Sequence, residues 1–150
     1  MNAPVSPPAE FGVTPLQTIA SMTGIDFIQA MLAGKLPAPP IMRTMGFTLG
    51  KAEKGSVEFQ AIPSFEHYNP IGSVHGGYFA TLLDSAMGCA VHTVLPAGVG
   101  YTTLEFKVSF VRGMTVDTGP VRAIGTVMNA GRRTALAEAK IIDMKDRLIA

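Results

Sequence analysis

The side chains best suited to chemistry in this 150-residue chain lie between Asn69 and Asp84. The run Asn69-Pro70-Ile71-Gly72-Ser73-Val74-His75-Gly76-Gly77 leads into a helical pattern that carries Asp84. Two adjacent glycines weaken a helix start, so some benefit must offset them. Backbone N–H groups in a first helical turn lack partners and carry partial positive charge. Without side chains at Gly76 and Gly77, a carbonyl oxygen can approach those donors closely, which describes an oxyanion hole. The same glycines also suit a loop that needs only tight packing.

Asp84 has Ala80, Thr81, Met87 and Gly88 as its helical neighbours, so no cation lies in local reach. It shares a small-residue face with Gly77, Thr81, Ser85 and Gly88. A helix packed on both this face and its large apolar one would partly bury the carboxylate, raise its pKa and suit it to act as a base. An aspartate bonded to a nearby hydroxyl or backbone group would satisfy the same pattern. Eight residues separate Gly76 from Asp84, about 12 Å along a helix axis. That is too far for both to act on one carbonyl. If both are catalytic, Asp84 must meet the glycine donors of a second chain, and a two-fold dimer with two equivalent sites follows.

The elements around this stretch divide the chain. Residues 1–12 carry prolines and no periodicity and are expected to form a loose arm. Thr14-Pro15 reads as an N-cap with proline in the first turn of a short helix ending near Met22. Thr23-Gly24 reads as a break, Asp26 as the cap of a second short helix, Gly34 as its C-terminal stop, and LPAPP as an extended linker. From Ile41 the pattern changes. MRTMGFTL and SVEFQAI predict two strands joined across Gly50 to Gly55. Phe79, Leu82, Leu83, Ala86, Met87, Ala90, Val91 and Val94 recur at helical spacing and predict the one long helix, ended by Pro96 and Gly98. YTTLEFKVSFVR alternates and predicts a strand, as do VRAIGTVM and RTALAEAKII, with turns at Asn129–Gly131 and Asp143–Asp146. Arg147 to Ala150 begins a further strand and stops, which suggests truncation. The late connections are too short for parallel crossovers. The expected architecture is therefore α+β: a mostly antiparallel sheet wrapped around one long helix, with 1–40 as a helical arm and 41–150 as the main domain.

Composition narrows the function classes. Hydrophobic residues make up 47% of the chain and charged residues 15%, a balance that suggests apolar surface buried between subunits. A net charge of +1 gives no basic field for nucleic acid. The single cysteine, Cys89, cannot form an internal disulfide, the N-terminus has no secretory pattern, and no apolar run approaches the ~20 residues of a membrane span. These features point to a cytoplasmic protein without a membrane partner.

The constellation Asn69-Pro-x-Gly-x-x-His-Gly-Gly through Leu82 and Asp84 resembles the hotdog-fold thioesterases, in particular the PaaI-like (phenylacetate-degradation) branch. TTLEFKVSFVR, GRRTALAEAKI and the final D-x-x-D-R-L-I-A add to the resemblance, which covers roughly Met42 to Ala150. It implies hydrolysis of acyl-CoA thioesters, edge-to-edge homodimers that form homotetramers, and no metal or separate cofactor, coenzyme A being part of the substrate. It implies that Gly76 donates its N–H to the thioester oxygen and that Asp84 of the partner chain attacks or activates a water. Asn69 would orient the water or the acid, and Thr103 would help hold the water. The resemblance also implies that the chain normally continues past Ala150. His75 is a candidate base, although a histidine here also suits fixing the turn. His67 and His92 lack metal partners, and Cys89 near the core should be inert. Gly77 joins Gly76 as a candidate substrate donor. Arg132 and Arg133, at a turn between strands, suit the phosphates of CoA, with Arg112 and Lys107 as weaker candidates. A hotdog-fold dehydratase or hydratase using His75 and a non-catalytic acyl-CoA-binding protein are the competing readings.

Overall fold

The computed structural model describes Pro8 and residues 10–150. Most of the expected loose arm, residues 1–7 and 9, lies outside the described residues. Glu10 to Gly12 is tied down instead. Phe11 bridges Ala38 in parallel, and Gly12 N–H donates to the Ala38 carbonyl at 2.9 Å.

Helix α1 spans Leu16–Ala20, with Pro15 rather than Thr14 at its N-cap. Helix α2 spans Gly24–Leu32. Thr23 is its N-cap, and the Thr23 hydroxyl accepts from Asp26 N–H at 3.3 Å. The expected break at Thr23-Gly24 is thus the helix start, because threonine there satisfies a first-turn donor. Helix α3, Pro40–Met45, replaces the front of the first expected strand. Pro40 presets the first turn, and Gly46 stops the helix in the left-handed conformation at φ 63°. The four residues MRTM therefore sit between a helix start and a helix stop.

Strands β1 (Phe47–Glu53), β2 (Ser56–Ala61), β3 (Val121–Ala130) and β4 (Ala135–Asp143) form an antiparallel sheet in the order β1-β2-β3-β4. The long helix α4, Gly76–His92, lies across it. Tyr78, Phe79, Leu82, Leu83, Ala86 and Ala90 of α4 are buried against Val57, Phe59, Val121, Ala123 and Ile141 of the sheet. Gly125 permits the closest approach. A Cβ there would stand 2.2 Å from the Ala86 carbonyl oxygen, so any side chain would push helix from sheet. Helix α2 packs on β1 and α4, and Gly24 N–H donates to the Leu95 carbonyl. The architecture is the expected hotdog arrangement, an antiparallel sheet around one long helix.

The segment YTTLEFKVSFVR departs from expectation. Residues 101–111 belong to no strand, and residues 101–110 make no backbone–backbone hydrogen bond among the described residues. Val111 and Arg112 both donate to the Ile149 carbonyl. Alternation shows that a segment has two different faces, whereas a strand also needs a neighbour to pair with. The outer edge of β4 is paired only near its end, where Ile142 bridges Leu148 and Ile149 N–H donates to the Ile141 carbonyl at 2.8 Å.

Candidate active site

Asn69 organises the loop that precedes α4. Its Oδ1 accepts from Ile71 N–H at 3.0 Å and Ser73 N–H at 3.2 Å, and its Nδ2 donates to Ser73 Oγ at 3.0 Å. The carboxamide is thus occupied largely by its own loop. The loop is anchored from outside as well. Val74 N–H donates to the Met114 carbonyl, His75 N–H to the His67 carbonyl, and Val116 N–H to the Tyr68 hydroxyl. His67 stacks on Tyr78 with ring centroids 4.0 Å apart, and burial lowers the pKa of His67.

His75 is the N-cap of α4. Its Nδ1 accepts from Gly77 N–H at 2.8 Å, so the cap uses that nitrogen and leaves Nε2 as the site of the ring proton in a neutral ring. The same bond engages the donor of Gly77. Gly76 N–H makes no hydrogen bond among the described residues. Of the two glycine donors, only that of Gly76 remains open in the first turn, where the helix dipole adds partial positive charge. The space beside Gly76 is a hollow of about 290 Å³ bordered by Val74, Phe79, Phe110 and Arg112. A Cβ on Gly76 would come within 3.1 Å of the Phe110 ring.

Asp84 lies on the same helix two turns on, half-buried. It does have a partner, from outside α4: Thr103 Oγ1 donates to Asp84 Oδ1 at 2.8 Å. Asp84 Oδ2 accepts no hydrogen bond among the described residues. Asp84, Ser85 and Thr103 face a cavity of about 180 Å³. Met31 of α2, Ile41 and Met42 of α3, and Phe47 and Phe59 of the sheet form much of its apolar lining. Tyr101 and Cys89 complete it. The phenol end of Tyr101 is buried beside Cys89 and Asp84, and this pushes its pKa up. Burial likewise pushes the Cys89 thiol up to about 12, where it carries no reactive thiolate near neutral pH.

Arg132 and Arg133 are exposed on the β3–β4 turn, which Gly131 N–H closes onto the Thr134 carbonyl at 2.9 Å. The structure therefore gathers Asp84 with Thr103, and His75 with Gly76 and Gly77, as two separate clusters on one helix. Sequence reasoning missed the contribution of α2 and α3 to the Asp84 cavity. The proline-rich link between them hid how closely these helices fold back. It also missed Tyr101, whose place beside Gly88 was signalled only by a glycine inside a helix. A Cβ on Gly88 would lie 3.0 Å from the Tyr101 ring.

Residues 71–150 match the thioesterase superfamily. A Halobacterium salinarum protein whose name gives it esterase activity provisionally is 29% identical over 133 residues, covering 83% of this chain and 85% of that one. A phenylacetic acid degradation-related protein of Ralstonia eutropha JMP134 superposes with a TM-score of 0.73 at 25% identity, covering 82% of this chain and 92% of its own. A Streptococcus mutans protein solved with acetyl CoA bound superposes at 0.62 with 22% identity, covering 69% and 80%.

Proposed function

The chain belongs to the thioesterase superfamily and is a thioester hydrolase, and from that membership we propose that it hydrolyses acyl-CoA esters at a site shared by two copies. Asp84 of one copy serves as base or nucleophile, and Gly76 N–H of the other polarises the thioester carbonyl. The acetyl CoA held by the Streptococcus mutans relative supports CoA esters as the substrate class. Coenzyme A enters as part of the substrate, and no separate cofactor is needed.

One observation carries this reading. Segment 101–111, unpaired along its backbone from 101 to 110, touches both clusters, Asp84 through Thr103 and Gly76 through Phe110. Leu104, Phe106, Phe110 and Val111 are exposed along it, and the backbone groups of residues 101–110 are open to a second chain. Antiparallel pairing of this segment with its own copy would set the Thr103 end of one chain beside the Phe110 end of the other. Asp84 would then approach the open Gly76 donor of the second copy.

In this site Thr103 fixes Oδ1, so Oδ2 faces the reaction. Oδ2 takes a proton from water as the water attacks the thioester carbon, or attacks that carbon itself. The carbonyl oxygen gathers negative charge opposite Gly76 N–H. Collapse of the tetrahedral centre breaks the C–S bond, and the proton that Asp84 took from water passes to the leaving sulfur. Where Asp84 attacks directly, CoA leaves as a thiolate that solvent protonates. Water then hydrolyses the acyl-aspartate anhydride, which frees the acid and restores the carboxylate. Asn69 holds the loop that aims Gly76, and His75 aims it further by engaging Gly77. A hydratase that uses His75 would draw its proton chemistry from a ring whose Nδ1 already caps α4. Arg132 and Arg133 are proposed anchors for the CoA phosphates.

Asp84→Asn tests the assignment. Thiol release from an acyl-CoA panel should fall by about 10²-fold or more, with the thermal melt unchanged. Near-wild-type turnover in the folded variant would remove Asp84 from the chemistry.

A further inference from the structure

The cavity beside Asp84 has a lining that the hydrolytic step leaves unexplained. Asp84 is its only charged residue among the described residues, and most of the remaining lining is apolar. Two methionines face it from the N-terminal helices, Met31 of α2 and Met42 of α3. Phe47 and Phe59 pack edge to face behind them, 5.4 Å between centroids. Its polar groups are Asp84, Ser85, Thr103 and the Tyr101 phenol beside Asp84. A molecule with a polar reacting end and an uncharged tail fits such a space, with the reacting end at the carboxylate.

We propose that this cavity is the acyl pocket, and that the N-terminal helices set its capacity: an uncharged, compact acyl tail of about six carbons, straight or ring-closed. The proposal rests on the reading of Asp84 as the reacting carboxylate. Its size follows from the volume of about 180 Å³, slightly more than the ~150 Å³ apolar cavity that takes up benzene in another protein. Methionine side chains give such a wall some adaptability. Gly88 lets Tyr101 close the space from the α4 side. The helices thereby do more than decorate the sheet. Met31, at the far end of α2 from Thr23, is half-buried and can be shortened without opening the centre of the core.

The test measures binding of S-alkyl-CoA thioethers, which have no ester to cleave, from ethyl to dodecyl. Calorimetry on wild type should show about fourfold tighter binding per methylene, with the gain ending near six carbons. Met31→Ala removes three heavy atoms from the wall and should move that break out by roughly two carbons. Ile41→Ala, at a more exposed position of the same wall, should move it in the same direction. Thermal melts establish that each variant is folded. A break at the same chain length in wild type and both folded variants would overturn the proposal, as would binding independent of tail length. The two readings separate cleanly. If Asp84→Asn keeps wild-type turnover while the break still moves with Met31, the pocket stands and the role of Asp84 falls. If turnover collapses in Asp84→Asn while the break stays fixed, the pocket assignment falls alone.

Discussion

Thr103 donates to one oxygen of the Asp84 carboxylate and leaves the other open. A hydroxyl can orient a carboxylate in this way while leaving the second oxygen free for a ligand. The sequence pointed to Asp84 through the absence of a cation on its helix, and the hydroxyl partner came from a segment 19 residues away. Helix geometry alone offered both Gly76 and Gly77 as donors, and the resemblance favoured Gly76. The cap bond from His75 separates them, because a donor already engaged by Nδ1 has nothing left for substrate. Arg132 and Arg133 make no ion pair among the described residues, so their charges are available to a ligand. Their joint replacement by alanine should weaken binding of CoA thioesters while sparing short thioesters that lack the nucleotide. Each lost charge-assisted contact is worth roughly 1.5–3 kcal/mol, reduced by solvent at so exposed a turn. Measured KM values for the two substrate types check this, and equal effects on both would show that the turn does not read the nucleotide.

Helix α4 was legible because its apolar spacing is long and regular, and because histidine before two glycines marks its start. The β3–β4 hairpin was legible for the same kind of reason, two alternating runs around a glycine turn. Helix α3 was not, since six residues are too few to show a period and the proline and glycine at its two ends also suit a linker. The segment 101–111 was legible as two-faced but not as unpaired, because the neighbour that makes a strand lies elsewhere in sequence. The pocket wall was illegible altogether, as it joins α2 and α3 to Asp84 across more than forty positions. One small element makes a pH prediction. After β4, the buried Asp143 carboxylate accepts from Lys145 N–H, Arg147 N–H and Arg147 Nε, the last at 2.7 Å. Burial alone would raise its pKa, but the backbone and Arg147 bonds prevail and hold it below the ordinary 3.8. The folded state therefore favours the ionised form. Its stabilising contribution is complete above about pH 4 and is lost as pH falls through the folded-state value. Asp143→Asn should lower the Tm at pH 7 and flatten the acid limb of Tm against pH. An unchanged acid limb would mean that other carboxylates control it.

At the scale of the whole molecule, one helix carries both proposed halves of the chemistry, too far apart to act together. Gly76 and Asp84 stand about 12 Å apart along α4 and border different hollows. The open backbone of residues 101–110 and the exposed Leu104, Phe106, Phe110 and Val111 offer the surface on which a second copy would bring the halves together. A two-fold axis would create two sites at once, each with Asp84 from one chain and Gly76 from the other. Mixing two inactive variants tests this most directly. One carries Asp84→Ala. The other carries Gly76→Val, whose side chain would crowd Phe110 and block the donor. After co-expression, each mixed dimer holds one site with both defects and one with neither. Random pairing makes half the dimers mixed, so about a quarter of wild-type sites should return. Purified mixed dimers that hydrolyse acyl-CoA no faster than either parent would contradict the shared site.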